Sequence, residues 1–504
     1  MPNVFCQQKS RSLGVVWLLV AFALLALTVT NDSLWLDEGP TAAYARQGSF
    51  SGWVSHLKKD TCGDCQMPLG MFSAWAVAPL LGTGEYQLRS VNFFWGALAL
   101  LLLFLVGRWA GVTWVPALFA IQPFFVFYMN EARPYMPQIA AGCLLLVAAV
   151  AFVREQGRGL GWATLFVVAV NVFCLTTLMA PFTIMGVVLS MAVLAYRERW
   201  KISFKSLAII FVGFLCTLPI GAYYGWTILR GAKGAKIWDI SPLNAGYVIY
   251  ELLGCTGLGP AINTIRAVAK SELSLSLDNV LQLATSALLL LVIFSVFSGA
   301  ILVSRKPKMC GLLLYFLAAF FISVLVVLVT GIPLGKAFWA RHLSGAFPFY
   351  VFALALALQR LFEEKKPAGI VAAALLAILL CISSLSLRMA PRHVKEDYRG
   401  AAREANAAAA RGKNVWWVAG TETGHYYGLA FEGNSPGPSP PPRVAGRQSS
   451  SALPTDAAPL PDVIFITRPD VHDPDGYVGR LIASGTYQLR RDSGHFSVWE
   501  KSEQ

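Results

Sequence analysis

Two adjacent carboxylates, Asp37 and Glu38, follow the first apolar stretch of the chain in the sequence Trp-Leu-Asp-Glu-Gly. A carboxylate that faces a substrate can take the proton of an attacking hydroxyl group as a general base. Acids also stabilise helix N-termini, and a short helix is predicted over 40–47, so helix capping is the alternative interpretation. Because neighbouring residues do not share a helical face, the two acids would act differently, one as base and the other as a structural or metal-facing group.

A second cluster brings an acid, a cation and an aromatic ring together within five residues: Glu131, Arg133 and Tyr135. An arginine presents paired N–H donors that match a phosphate group, and the acid could orient a substrate. The ordinary alternative is a surface ion pair with a tyrosine in the interfacial aromatic belt.

Further cations lie in two other places along the chain. Lys336, Arg341 and His342 precede the apolar stretch 345–362, and Arg89 precedes 90–107. Isolated interfacial cations usually extend to lipid headgroups. Several acidic and basic positions predicted on one face of a membrane instead favour the binding of an anion.

Apolar helices must position these residues. Hydrophobic residues make up 56% of the 504 residues and charged residues 14%, against roughly 45–50% and 25% in soluble domains. The composition predicts a mainly α, polytopic membrane protein. We predict eleven spans, each able to cross or nearly cross a hydrocarbon layer of about 30 Å; they are 13–30, 90–107, 112–129, 136–153, 161–180, 182–196, 206–226, 279–303, 311–330, 345–362 and 368–387.

The distribution of basic residues indicates an orientation. Lys and Arg outnumber Asp and Glu by 41 to 28, and the short loops on the side of the N-terminus are rich in them, as the positive-inside rule requires. We therefore predict a bacterial inner-membrane protein with a retained first helix, a cytoplasmic N-terminus and a periplasmic C-terminus. The same distribution argues against a nucleic-acid partner.

One more apolar stretch, 67–81, is short and contains Pro68 and Pro79. Counting it as a span would place the basic loops outside, so we predict a juxtamembrane helix that lies along the outer face. Residues 31–89 then form one long periplasmic loop of a membrane domain, residues 1–387.

The tail, residues 388–504, has a different pattern. A helix over 396–411 and strands over 415–418 and 463–467 predict a small periplasmic α/β domain, with a flexible Pro/Ser/Gly-rich insertion at 433–461. It contains no glycine-rich phosphate loop or nucleophile motif, which favours packing or acceptor recognition.

Two cysteines indicate a disulfide in the long outer loop. Cys62 and Cys65 form Cys-Gly-Asp-Cys in the long loop, where an oxidising compartment favours a disulfide over a redox pair or half of a zinc site.

The predicted spans contain almost no ionisable residues, whereas ion-coupled transporters need them at the midplane. The pattern favours chemistry at the outer surface.

Taken in order, five segments resemble the polytopic GT-C glycosyltransferases, in particular bacterial relatives of family 39 protein O-mannosyltransferases and of the aminoarabinose transferases that modify lipid A. They are WLDEG (35–39), QMPLGMFSAW (66–75), LRSVNFFWGALALLLLFLVGR (88–108), YMNEARPYM (128–136) and KAFWARHLSGAFPF (336–349). KEDYRGAAREA (395–405), VWWV (415–418) and HYYG (425–428) are similar to the outer domain of bacterial members. The chain departs from the pattern at 66–69, where relatives often have His-Pro-Pro-Leu or Gln-Pro-Pro-Leu.

The resemblance implies transfer of a sugar from a polyprenyl-phosphate carrier to a hydroxyl acceptor at the periplasmic face, generally with inversion. Asp37 would be the general base, and Glu131 would orient the sugar, the acceptor or a divalent cation. The phosphate would be bound by Arg89, Arg133 and Arg341, with Tyr135, Lys336 and His342 beside it. The helix at 67–81 would form part of the donor groove.

Several properties stay open at the level of sequence. The acceptor can be a protein, a lipid or a polysaccharide, and the sugar is undetermined. No cofactor is predicted, but some relatives use a divalent metal. An O-antigen ligase or polymerase and a non-catalytic lipid or polysaccharide transporter are the alternative functions.

Overall fold

The structure is a computed structural model and is predominantly helical. It describes residues 11–60, 63–231, 242–261, 264–265, 276–303, 307–334, 338–364, 367–431, 444–446, 460–473, 475–492 and 495–502. Lys336 and Cys62 lie outside the described residues, as does most of the predicted insertion at 433–461.

Seven helices of the described residues are long and apolar enough to cross a membrane, and each coincides with a predicted span. They are Glu85–Ala110, Tyr135–Glu155, Ala180–Arg197, Phe204–Leu229, Leu277–Val303, Gly311–Ile332 and Pro367–Met389. The mainly α, polytopic architecture predicted from composition is therefore confirmed.

The helices at the other four predicted spans are shorter than these seven. Three are single helices of 16 or 17 residues: Arg11–Ala26, Gly161–Thr176 and Phe347–Glu363. The span predicted over 112–129 instead forms two helices, Val115–Ala120 and Pro123–Met129. Gln122 between them is extended, because a residue that precedes proline is disfavoured in the helical region.

The remaining helices of the described residues have 14 residues or fewer. They are Gly39–Ala45, Phe50–Lys59, Pro68–Leu81, Pro242–Leu252, Tyr398–Ala410, Thr421–Tyr426, Pro469–His472 and Tyr477–Leu481. The helix Pro68–Leu81 coincides with the stretch for which a juxtamembrane helix is predicted.

The chain divides into two compact units. The first contains Met1–Val29, Lys59–Met71 and Arg89–Val394, and the second contains Thr30–Lys58, Phe72–Leu88 and Lys395–Gln504. The sequence-based division groups the chain differently, since it assigns all of 31–89 to the membrane domain. In the structure, most of this loop packs with the tail.

Small residues bring backbone segments of the first unit close together, and its helix Tyr135–Glu155 is buried along nearly its whole length. A Cβ on Gly142 would lie 2.3 Å from the carbonyl oxygen of Gly345, and one on Gly186 would lie 2.7 Å from the amide nitrogen of Ser323. Helices in a membrane associate through such close contacts because hydrocarbon provides no hydrophobic driving force between them. The tightly packed helix begins at Tyr135, the last residue of the cluster that starts at Glu131.

The second unit is built on a five-stranded mixed sheet. Its strands are β1 (Val415–Val418), β2 (Val444–Gly446), β3 (Val463–Ile466), β4 (Tyr487–Asp492) and β5 (Ser497–Lys501), in the order β2-β1-β3-β5-β4. β1 is parallel to β2 and β3, whereas β5 is antiparallel to β3 and β4. Every residue of β1 and β3 is buried, which explains their continuous apolar sequences. The predicted α/β character of the tail is confirmed.

Candidate active site

In the first unit, a tight turn joins the helices Pro123–Met129 and Tyr135–Glu155. The amide of Arg133 donates to the carbonyl of Glu131 at 2.6 Å. The buried side chain of Asn92 donates to the carbonyls of Glu131 and, at 3.3 Å, Tyr128. Carbonyls at a helix C-terminus need partners from outside the helix, so Asn92 supplies them and fixes the turn.

Arg133 forms a buried ion pair with Asp64, and each side chain is only 9% exposed. Asp64 lies in the turn Gly63–Gln66. This turn is held by the Tyr223 hydroxyl, which donates to the carbonyl of Cys65 at 2.5 Å, and by the amide of Leu178, which donates to the carbonyl of Gln66 at 3.1 Å. Asp64 was not among the residues predicted from the sequence, although it stands between the two cysteines.

Arg341 lies at the same aromatic ring as Arg133. The guanidinium carbon of Arg133 is 5.8 Å from the ring centroid of Tyr135, and that of Arg341 is 5.9 Å from it. Arg341 is also 5.9 Å from the ring of Trp339. The structure thus brings together Arg133, Tyr135 and Arg341, with both guanidinium groups within about 6 Å of the centre of one aromatic ring.

His342 stabilises the turn that carries Arg341. Its Nδ1 accepts a hydrogen bond from the amide of Trp339 at 3.0 Å, and its ring edge packs against Phe338 at 5.8 Å. These contacts indicate that His342 orients the turn Ala340–Leu343.

Arg89 and Glu131 are almost completely buried, at 0% and 1% exposure. Arg89 is three residues before Asn92 on the helix Glu85–Ala110, and residues three apart share a helical face. Since Asn92 contacts the turn at Glu131, Arg89 belongs to the helix face that supports the turn.

Glu251 is a carboxyl group that sequence reasoning missed. The hydroxyl of Tyr128 donates to its Oε1 at 2.6 Å, and Glu251 also lies within electrostatic range of Arg341 and Glu131. Tyr128 and Glu251 both line a small cavity with about 50 Å³ of free space, whose other lining residues are Pro123, Phe124, Phe127, Tyr247, Thr256 and Leu387. The burial of Glu251 could not be predicted from the sequence, because a single glutamate near the end of a short helix belongs to no recognisable motif.

Burial raises the pKa of Glu251 to about 7, although the hydrogen bond from Tyr128 and the charge of Arg341 oppose the rise. At neutral pH this carboxyl group therefore exchanges a proton readily. An approaching anion would raise the pKa further and favour the neutral form.

This raised pKa predicts a pH-dependent stability. Below pH 4.5, the ordinary pKa of a glutamate, the carboxyl group is protonated in both the folded and the unfolded protein. Between pH 4.5 and about 7 it is protonated only in the folded protein, which therefore binds one more proton. Stability is therefore lost as the pH rises through about 7, by up to roughly 3 kcal/mol. We expect the thermal unfolding temperature of the protein to fall between pH 5 and pH 8, and that of Glu251→Gln to fall much less. Equal falls in both proteins would contradict the assignment.

In the second unit, the structure distinguishes Asp37 from Glu38 within the turn Leu36–Glu38. Glu38 is completely buried, and its Oε2 accepts a hydrogen bond from the amide of Trp35 at 3.2 Å. Asp37 is only partly buried. Glu38 therefore stabilises the turn, and Asp37 is the carboxylate that solvent or a substrate can reach.

A metal site requires several clustered ligands. Among the described residues, no three His, Cys, Asp or Glu side chains are arranged to hold a metal ion. The described part of the chain therefore does not form such a site, and the reaction proposed below uses no metal. The Cys62–Cys65 disulfide stays a prediction, because Cys62 lies outside the described residues.

No family model and no curated protein matches this chain. The crystal structure of ArnT from Cupriavidus metallidurans in the apo state aligns with 98% of this chain and 100% of its own, at 13% identity and a TM-score of 0.55. The structure of ArnT from the same organism bound to undecaprenyl phosphate aligns over the same shares at 12% identity and a TM-score of 0.41. The chain therefore has the same overall fold as the apo ArnT structure.

Proposed function

We propose that this protein is a membrane glycosyltransferase that moves a sugar from a polyprenyl-phosphate carrier to a hydroxyl acceptor. The observation that carries the proposal is a pair of guanidinium groups at one aromatic ring: those of Arg133 and Arg341 lie 5.8 Å and 5.9 Å from the centroid of the Tyr135 ring. Such a pair within an ArnT-like fold is suited to a donor whose leaving group is a phosphate.

The reaction requires few groups. A bond forms between the acceptor oxygen and the anomeric carbon of the sugar, while the bond from that carbon to the carrier phosphate breaks. The electron pair of the broken bond stays on the phosphate, whose growing negative charge needs fixed N–H donors. Arg133 is immobilised by Asp64, so it can hold one side of the phosphate without first losing conformational freedom.

Arg341 supplies the second set of donors from a different element, the turn Ala340–Leu343. Glu251 lies within electrostatic range of both Arg341 and Glu131, and Glu251 can accept a proton when the phosphate binds. This protonation would reduce the repulsion between the donor and the acidic side chains.

The proton of the acceptor hydroxyl needs a base, and we assign this role to Asp37 from its place in WLDEG and its partial exposure. Glu131 is proposed to orient the sugar or the acceptor. The charge distribution supports a reaction at the periplasmic face, since the loops of the opposite side are rich in Lys and Arg.

The function is tested by incubating the purified full-length protein, in lipid nanodiscs, with labelled polyprenyl-phosphate sugars and candidate acceptors. We expect one donor to lose its sugar to a hydroxyl acceptor. Arg341→Ala should raise the KM for that donor about tenfold or more, because a hydrogen bond to a charged group contributes about 1.5–3 kcal/mol.

Arg154→Ala is the matched control. Arg154 also lies over an aromatic ring, with its guanidinium carbon 4.7 Å from the ring of Trp109. It stands near the opposite end of the helix Tyr135–Glu155, roughly 30 Å from Tyr135. An equal effect of both substitutions, or consumption of no polyprenyl-phosphate sugar, would refute the proposal.

A further inference from the structure

The backbone directly before Asp37 is held by the tail segment 421–427, although nearly 400 residues separate them in the chain. The hydroxyl of Tyr427 accepts a hydrogen bond from the amide of Leu34 at 2.7 Å. The hydroxyl of Thr423 lies 3.5 Å from the carbonyl oxygen of Trp35 and 3.4 Å from that of Leu36. Three successive residues before Asp37 are thus contacted by two tail hydroxyl groups.

The Tyr427 hydroxyl is itself fixed by a charged network. It donates to Oε1 of Glu85 at 3.1 Å, and the same oxygen pairs with Nε of Arg399 at 3.0 Å. Burial raises the pKa of Tyr427 to about 12, so its hydroxyl keeps the proton that it donates. Arg399 also donates from its backbone amide to the Ser33 hydroxyl at 3.0 Å.

Side-chain packing also holds the backbone at Leu36 and Gly39 against the tail. Leu36 packs against the apolar core of the tail, and its Cδ1 is 2.6 Å from where a Cβ on Gly420 would lie. A Cβ on Gly39 would lie 2.8 Å from the amide nitrogen of Thr423. The backbone therefore fits tightly on both sides of Asp37.

Precise placement matters for a general base, since a displacement of about 1 Å can lower a rate about 10²-fold. We propose that the tail domain is the positioning element of the base: Tyr427 and Thr423 hold residues 34–36 so that Asp37 faces the acceptor hydroxyl. Tyr427 is a positioning residue in this proposal, which rests on the proposed function.

The test uses the full-length protein and compares Tyr427→Phe with Tyr426→Phe. Tyr426 is adjacent, also partly buried, and its hydroxyl donates to the carbonyl of Thr83 at 2.9 Å rather than contacting the backbone of residues 34–36. We expect Tyr427→Phe to lower kcat about tenfold with the KM for the donor unchanged, and Tyr426→Phe to stay within about twofold of the wild type.

Hydrogen exchange gives a readout that needs no activity. We expect Tyr427→Phe to increase exchange in residues 31–39, with little change elsewhere in the second unit. If Tyr427→Phe fails to fold, Thr423→Val and Thr423→Ser replace it, and only serine, which keeps the hydroxyl, should retain activity.

The outcomes separate this inference from the function on which it rests. Wild-type kcat in Tyr427→Phe, in a protein that Asp37→Asn inactivates, would overturn the positioning role and leave the function intact. Equal losses in Tyr426→Phe and Tyr427→Phe would also overturn it. Faster exchange at 31–39 in a protein that transfers no sugar would support the tail contact and reject the transferase.

Discussion

Asp37→Asn is expected to lower the rate of sugar transfer by at least about 10²-fold, since general-base catalysis contributes about 10²–10⁴-fold. Asparagine has nearly the same shape as aspartate but cannot take the hydroxyl proton. Because Asp37 is only partly buried, the substitution should not alter folding. The measurement is kcat with the donor identified in the labelled panel, together with thermal unfolding and donor binding, both of which should stay at wild-type values.

Glu38→Gln is the matched control for this substitution. The side chain of Glu38 is buried and accepts a hydrogen bond from the amide of Trp35, and the amide oxygen of glutamine can accept the same bond. We expect Glu38→Gln to retain most of the activity. Full activity in Asp37→Asn would eliminate Asp37 as the base, whereas an equal loss in both variants would point to the turn rather than to one carboxylate.

The second large effect is on stability. Arg133→Ala leaves the carboxylate of Asp64 buried without its partner, and breaking a buried pair in this way costs about 3–5 kcal/mol. We expect a clear fall in the thermal unfolding temperature of the purified protein. The double variant, in which both residues are alanine, should be more stable than Arg133→Ala because it no longer buries an uncompensated charge.

The exposed pair of Arg491 and Glu404 provides a control of the same charge type. Its oxygen and nitrogen are 3.2 Å apart, but Arg491 is 51% exposed, and exposed pairs contribute only about 0–1 kcal/mol. Arg491→Ala should therefore change the unfolding temperature little. An unchanged unfolding temperature in Arg133→Ala, or a double variant no more stable than it, would show that Asp64 and Arg133 do not depend on each other.

Local properties of the sequence determined the membrane helices. A continuous apolar stretch such as 279–303 predicts a spanning helix without knowledge of its neighbours, and the structure has the helix Leu277–Val303 there. Pro123 shows the limit of counting apolar residues: a proline and the restricted residue before it divide one apolar stretch into two helices.

The candidate site was predictable where its residues are close in the chain. Glu131, Arg133 and Tyr135 stand within five residues, and their chemical types alone suggest an anion site. Asp64 and Glu251 were missed because their partners, Arg133 and Tyr128, are 69 and 123 residues away.

By itself, the sequence determined the class of the protein, most of its helices and its most reactive side chains, because apolar length, charge and residue type are local properties. Only the tertiary structure decided which carboxylate pairs with which cation, and that the tail segment 421–427 holds residues 34–36. Such pairings arise from packing between segments that lie from 69 to 393 residues apart, and no local pattern in the chain encodes them.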